Sequence, residues 1–100
     1  MSDLLEFFYA RTEQMVEKLG RLVLFESPSH SKEHVDKLAE YVAWMCTALD
    51  AEVEVYPLER AGDVRLAKWN PNAPGKPIMM LAHLDTVWPV GTLETMPLRE

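Results

Sequence analysis

A histidine and an aspartate two positions apart, His83 and Asp85, are the residues of this chain whose types and spacing point to chemistry. They lie in His83-Leu84-Asp85-Thr86-Val87, at the end of the apolar run from Pro77 to Ala82. Ile78 to His83 reads as a buried strand whose last member is an imidazole. A strand points residues i and i+2 to one side. His83 and Asp85 would then face the space beyond the strand's carboxyl end, where open α/β sheets place ligands. The pair is also a metal-site pattern: one ring nitrogen binds the metal and the other donates its proton to a supporting carboxylate.

Other polar residues carry weaker signals. His30 and His34 have the spacing of a metal pair on a helix face, but no third ligand is near them in sequence, and a solvated helix end explains them better. Ser27 and Ser29 flank Pro28 with no nucleophile elbow around them, so they read as turn residues. Cys46, the single cysteine, cannot form an internal disulfide and falls on the apolar side of an expected helix, as an inert thiol does. Glu6, Glu13 and Glu17 read as a solvated face, Trp44 and Trp69 as packing residues, and the six methionines as core filler. Trp88 follows the His-Asp motif closely enough to be a candidate pocket wall.

The elements that must position the motif are legible upstream of it. Asp3 and Glu6 form a capping-box arrangement for a first helix, and Met15, Val16, Leu19, Leu22 and Val23 repeat at helical spacing. Gly20 marks a bend or break in that stretch, and Ser27-Pro28-Ser29 ends it, because the residue before proline avoids helical geometry. Ser31 caps a second helix with an apolar stripe at Val35, Leu38, Ala39, Val42, Met45, Cys46 and Leu49. Asp50, near its end, is poorly placed against the helix dipole. Glu52 to Tyr56 alternates as a strand does, Ala61-Gly62-Asp63 can turn the chain, and Val64 to Trp69 can return as its partner. Asn70 to Gly75 is a loop. Beyond Val87 no strand or helix signal stands out.

At 100 residues the chain has room for one domain. An apolar fraction of 48% and a charged fraction of 26% are ordinary for a globular protein. A net charge of −6 argues against nucleic acid or an anionic membrane surface as a partner. The acidic N-terminus is unlike a secretory signal, no apolar stretch approaches a membrane span, and nothing calls for an oxidising compartment, so a cytoplasmic protein is expected.

The stretch Ile78 to Thr92, with its His-Leu-Asp-Thr-Val-Trp-Pro-Val-Gly-Thr core, resembles the first metal-binding motif of the M20 family of zinc peptidases. It is most similar to the glutamate carboxypeptidase branch, where the Asp-Thr-Val segment precedes an aromatic residue, a proline and a Gly-Thr pair. Leu19 to Ser29 resembles that family's first helix and Pro-Ser turn, and Val35 to Val55 its second helix and following strand, so the likeness runs from about residue 12 to residue 98. Asp50 stands where the family usually has glycine, and Leu98 where it often has an aromatic residue.

The resemblance implies a binuclear zinc hydrolase, with His83 as a metal ligand and Asp85 as the catalytic-motif carboxylate that holds His83 in place. It implies cleavage of an amide bond next to an amino acid with a free carboxylate, by a metal-bridging water, on a short peptide or N-acyl amino acid, in a homodimer. The implied fold is α/β: the N-terminal part of a three-layer catalytic domain, with two helices, a β-hairpin and a buried central strand ending at the motif. The general base and remaining ligands would lie downstream of Glu100, so residues 1–100 alone would be inactive and would expose Ile78 to Ala82. Two other readings are an aminoacylase or desuccinylase relative of the same family, and a non-catalytic remnant or binding module.

Overall fold

Ser31 opens the best-defined helix. Its backbone is extended (φ −108°, ψ 92°) and its hydroxyl accepts from the His34 N–H at 3.5 Å, the arrangement expected of a serine cap. The computed structural model describes residues 2–99. In it the chain forms α1 (Ser2–Tyr9), α2 (Thr12–Val23), α3 (Lys32–Ala48), β1 (Glu52–Tyr56), β2 (Val64–Lys68) and the short α4 (Thr92–Thr95). It is a small mixed α/β structure of helices and one two-stranded antiparallel hairpin.

The core sits under α3. Val35, Leu38 and Ala39, on the apolar stripe read from the sequence, are buried together with Ala51. The strands pair Glu52 with Lys68, Val53 with Ala67 and Val55 with Arg65, and α3 packs against both. Val53, Arg65 and Ala67 are half-buried, while Val55 at the end of the same face and Glu54, Leu66, Tyr56 and Val64 on the other are exposed. The pattern is that of a sheet covered on one side.

The end of α3 shows why Asp50 is unusual. The Ala51 N–H donates to the Cys46 carbonyl and the Asp50 N–H to the Thr47 carbonyl, both at 3.0 Å. This double closure requires a left-handed residue between helix and strand, and Asp50 takes it with φ 70°. The indole N–H of Trp69 satisfies a further carbonyl, that of Leu49, at 2.8 Å.

Three expectations are corrected. The first helical stretch is two helices, and the interruption falls at Ala10–Arg11 rather than at Gly20, which lies inside α2. A side chain at Gly20 would come within 3.2 Å of Leu98, so a close approach explains this glycine. The return strand stops at Lys68, one residue short of Trp69. The largest correction concerns the central strand. Residues 77–85 form no strand, and Ile78, Met79, Met80 and Leu81 are 93%, 80%, 93% and 92% exposed. A strand exists only when a neighbour takes up its N–H and C=O groups. The described hairpin pairs only with itself and offers this segment no ladder.

Candidate functional site

The motif is held by a single point of strand-like contact. Pro28 and Thr86 form an isolated parallel bridge. The Thr86 N–H donates to the Ser27 carbonyl at 2.8 Å and the Ser29 N–H to the Thr86 carbonyl at 3.0 Å. The Ser27 hydroxyl donates to the Leu84 carbonyl at 2.9 Å. The turn at the end of α2 is thereby fastened to both residues flanking Asp85.

His83 and Asp85 are in direct contact, although not as members of a strand. The ring Nδ1 lies 3.0 Å from the Asp85 carbonyl and 3.2 Å from its Oδ1. Both partners are acceptors, so Nδ1 carries the proton. In the neutral ring this leaves the Nε2 lone pair free, on a side chain that is 86% exposed. The Asp85 carboxyl is held below the ordinary aspartate range, first by the Ser29 hydroxyl and then, against its partial burial, by the His83 ring N–H. The Ser29 hydroxyl has one proton and two acceptors near it, the Asp85 carboxylate and the Thr86 carbonyl at 3.2 Å. Asp85 thus orients one imidazole through its carboxylate, and the residue after it is held by Ser29.

A cavity of about 370 Å³ opens beside the motif. Leu22, Phe25, Leu38, Trp88, Leu93 and Met96 line it, and His83 stands on its wall. Trp88 is therefore a pocket residue, while Trp44, 64% exposed, packs one side of its ring 5.9 Å from that of Tyr41.

The other candidates are not brought to the motif. His34 is engaged locally, its Nδ1 2.6 Å from the Ser31 hydroxyl, and His30 precedes α3, so the two histidines do not share a helix face. Cys46 is a free, half-buried thiol. Among the described residues no three histidine, cysteine or acidic side chains gather into a metal-sized group. Sequence reasoning assigned Ser27 and Ser29 only a turn. Their partners lie 57 residues away, and no local pattern announces a contact of that range.

No family model, curated protein or solved structure matches this chain. No described helix is long and apolar enough to cross a membrane.

Proposed function

We propose that this chain contributes the first metal ligand of an M20-type zinc hydrolase, similar to glutamate carboxypeptidase, acting on an amide bond beside a free carboxylate. The observation that carries the reading is the hydrogen-bonded His83–Asp85 pair, with Nδ1 donating at 3.0 and 3.2 Å and the exposed Nε2 left to coordinate. The donor set suits zinc, which accepts imidazole nitrogen and needs its histidine ligands fixed in one tautomer by an outer acceptor. The likeness of Ile78 to Thr92 to the M20 motif supports the same reading.

In this reading His83 holds the metal through Nε2. Asp85 keeps the ring proton on Nδ1 and raises the basicity of the ligating nitrogen. Zinc held there would supply a water ionised near neutral pH and a Lewis acid for the amide carbonyl. A catalytic zinc takes three protein ligands, of which His83 would be one. Trp88 and its apolar neighbours would form one wall for the substrate.

The test is zinc content and amidase activity of the natural protein and its His83→Ala variant. The expected result is stoichiometric zinc and cleavage of N-acyl glutamates or short peptides in the parent, with loss of activity and reduced zinc in the variant. Equal zinc and equal turnover in both proteins would remove His83 from the site.

A further inference from the structure

We infer that Glu26-Ser27-Pro28-Ser29 is a positioning clamp for the His83–Asp85 motif, gripping the backbone on both sides of Asp85 and the loop that follows. This rests on the metal-ligand reading of His83.

The motif needs such a clamp. The segment before it has no strand partner, so a sheet does not fix the direction of His83. What fixes it are contacts from one tetrapeptide. Ser27 is 1% exposed, and it holds the Leu84 carbonyl through its hydroxyl and the Thr86 N–H through its own carbonyl. Ser29 takes the Thr86 carbonyl through both its N–H, at 3.0 Å, and its hydroxyl, at 3.2 Å. Pro28, between them, is buried. It has no N–H, the bridge asks none of it, and its locked φ keeps the two serines at fixed separation.

Glu26 extends the grip to the next turn. One carboxylate oxygen accepts from the Gly91 N–H and the other from the Leu93 N–H at 3.1 Å. These amides flank the start of α4, where Gly91 has φ 99° and no side chain of α4's own caps the turn. A distant carboxylate supplies what a local cap residue normally would. The clamp therefore fixes the stretch that carries both the ligand histidine and Trp88.

A turn that merely stabilises the fold and a clamp that positions a ligand differ in what Ser29→Ala changes. Ser29 is exposed, so the variant should fold with an unchanged melting temperature. The experiment uses the natural full-length protein with ¹⁵N-labelled histidine, reading the His83 tautomer in the metal-free protein and zinc affinity by titration with zinc alone. The parent should hold His83 mainly as the Nδ1–H tautomer. Ser29→Ala should shift the ring toward Nε2–H and weaken zinc binding about 10-fold, the lower end of what loss of an outer hydrogen bond does. Ser29→Thr, which keeps the hydroxyl, should restore both. Glu26→Ala should speed amide exchange at Gly91 and Leu93. A Ser29→Ala protein with the parent's tautomer balance and zinc affinity would overturn the clamp. If the parent takes up zinc without perturbing His83, the metal reading fails separately, and the tautomer comparison still decides the clamp.

Discussion

From residue 31 to residue 69 this molecule ties itself together locally; from 77 to 99 it is tied down from elsewhere. In the first region Lys32 reaches Asp36 at 2.9 Å and also Asp63 and the Ala61 carbonyl, Asp63 accepts from the Leu58 N–H, and the Asp63 N–H donates to Asp36. The first turn of α3 and the hairpin loop thus share one polar knot above the buried Val35. In the second region the contacts run back to residues 26–29, and the apolar segment before the motif meets solvent. The contrast separates a part whose elements hold one another from a part held by a few hydrogen bonds to a distant turn. A candidate functional site falls in the latter, as the rule that function collects on loops carried by a rigid scaffold would have it.

The hardest blow to the first region should be Gly62→Ala. A Cβ there would overlap the Val35 side chain, with the Val35 Cβ only 2.9 Å away, and the helix and the hairpin turn would have to part. Overpacking of this kind costs about 1–3 kcal/mol. In a domain this size each kcal/mol lowers the melting temperature by about 4–8 °C. A thermal melt matching the parent's would show that the turn is not seated on α3.

The polar knot should give the stability curve two limbs in pH. Asp63 is held below the ordinary aspartate range by the Lys32 ammonium and the Leu58 N–H, and Asp36 by the Asp63 N–H and Lys32. Their contribution is complete above the unfolded aspartate value of about 3.9, and it is lost as pH falls through the lower folded values. Lys32 is raised, chiefly by Asp63 and then by Asp36. Its contribution is complete below the unfolded lysine value of about 10.4, and it is lost as pH rises through the higher folded value. Lys32→Met should remove the alkaline limb and reduce, without abolishing, the acid limb in melts taken from pH 2 to 12, because the Asp63 and Leu58 N–H groups still hold the two carboxylates. An acid limb left unchanged would break the knot into independent pairs.

Asp50→Gly sharpens the same region in the opposite direction. Asp50 holds φ 70° at the end of α3, a conformation that strains a side-chain-bearing residue and that glycine adopts freely. Relief of that strain, less the extra freedom glycine gives the unfolded chain, should stabilise by roughly 0.5–1 kcal/mol. The melting temperature should rise by a few degrees. A fall would mean that the Asp50 side chain makes a contact worth more than the strain.

What the sequence revealed and what it hid divide along the same line. Ser31, the stripe from Val35 to Cys46 and the alternation from Glu52 to Tyr56 are local signals, and the elements formed where those signals lie. His83 and Asp85 meet although the strand expected to align them is absent; a direct ring-to-carboxylate contact brings them together. Gly20 misled as a break because its reason is Leu98, far along the chain. Trp69 read as packing, although its N–H closes α3. Ser27 and Ser29 read as a turn because their partners come from the far end of the chain. Ile78 to Ala82 misled most: an apolar run states which surroundings suit it, and pairing depends on a neighbour that the run does not encode.

The smallest expected effect on folding belongs to Leu81→Lys, and its smallness is informative. Leu81 is 92% exposed, and the residues before it, Ile78 to Met80, are each at least 80% exposed. If this segment lies in solvent, a lysine here removes no packing, and the unfolding free energy should stay within about 0.5 kcal/mol of the parent's. Association should change instead. An exposed apolar stretch with unpaired backbone groups is a template for other chains, and an inserted charge is the usual safeguard. The variant of residues 1–100 should therefore need a higher temperature or concentration before light scattering rises. A loss of several kcal/mol in denaturant unfolding would show that Leu81 is packed, erasing the contrast between the two regions at the point where it is sharpest.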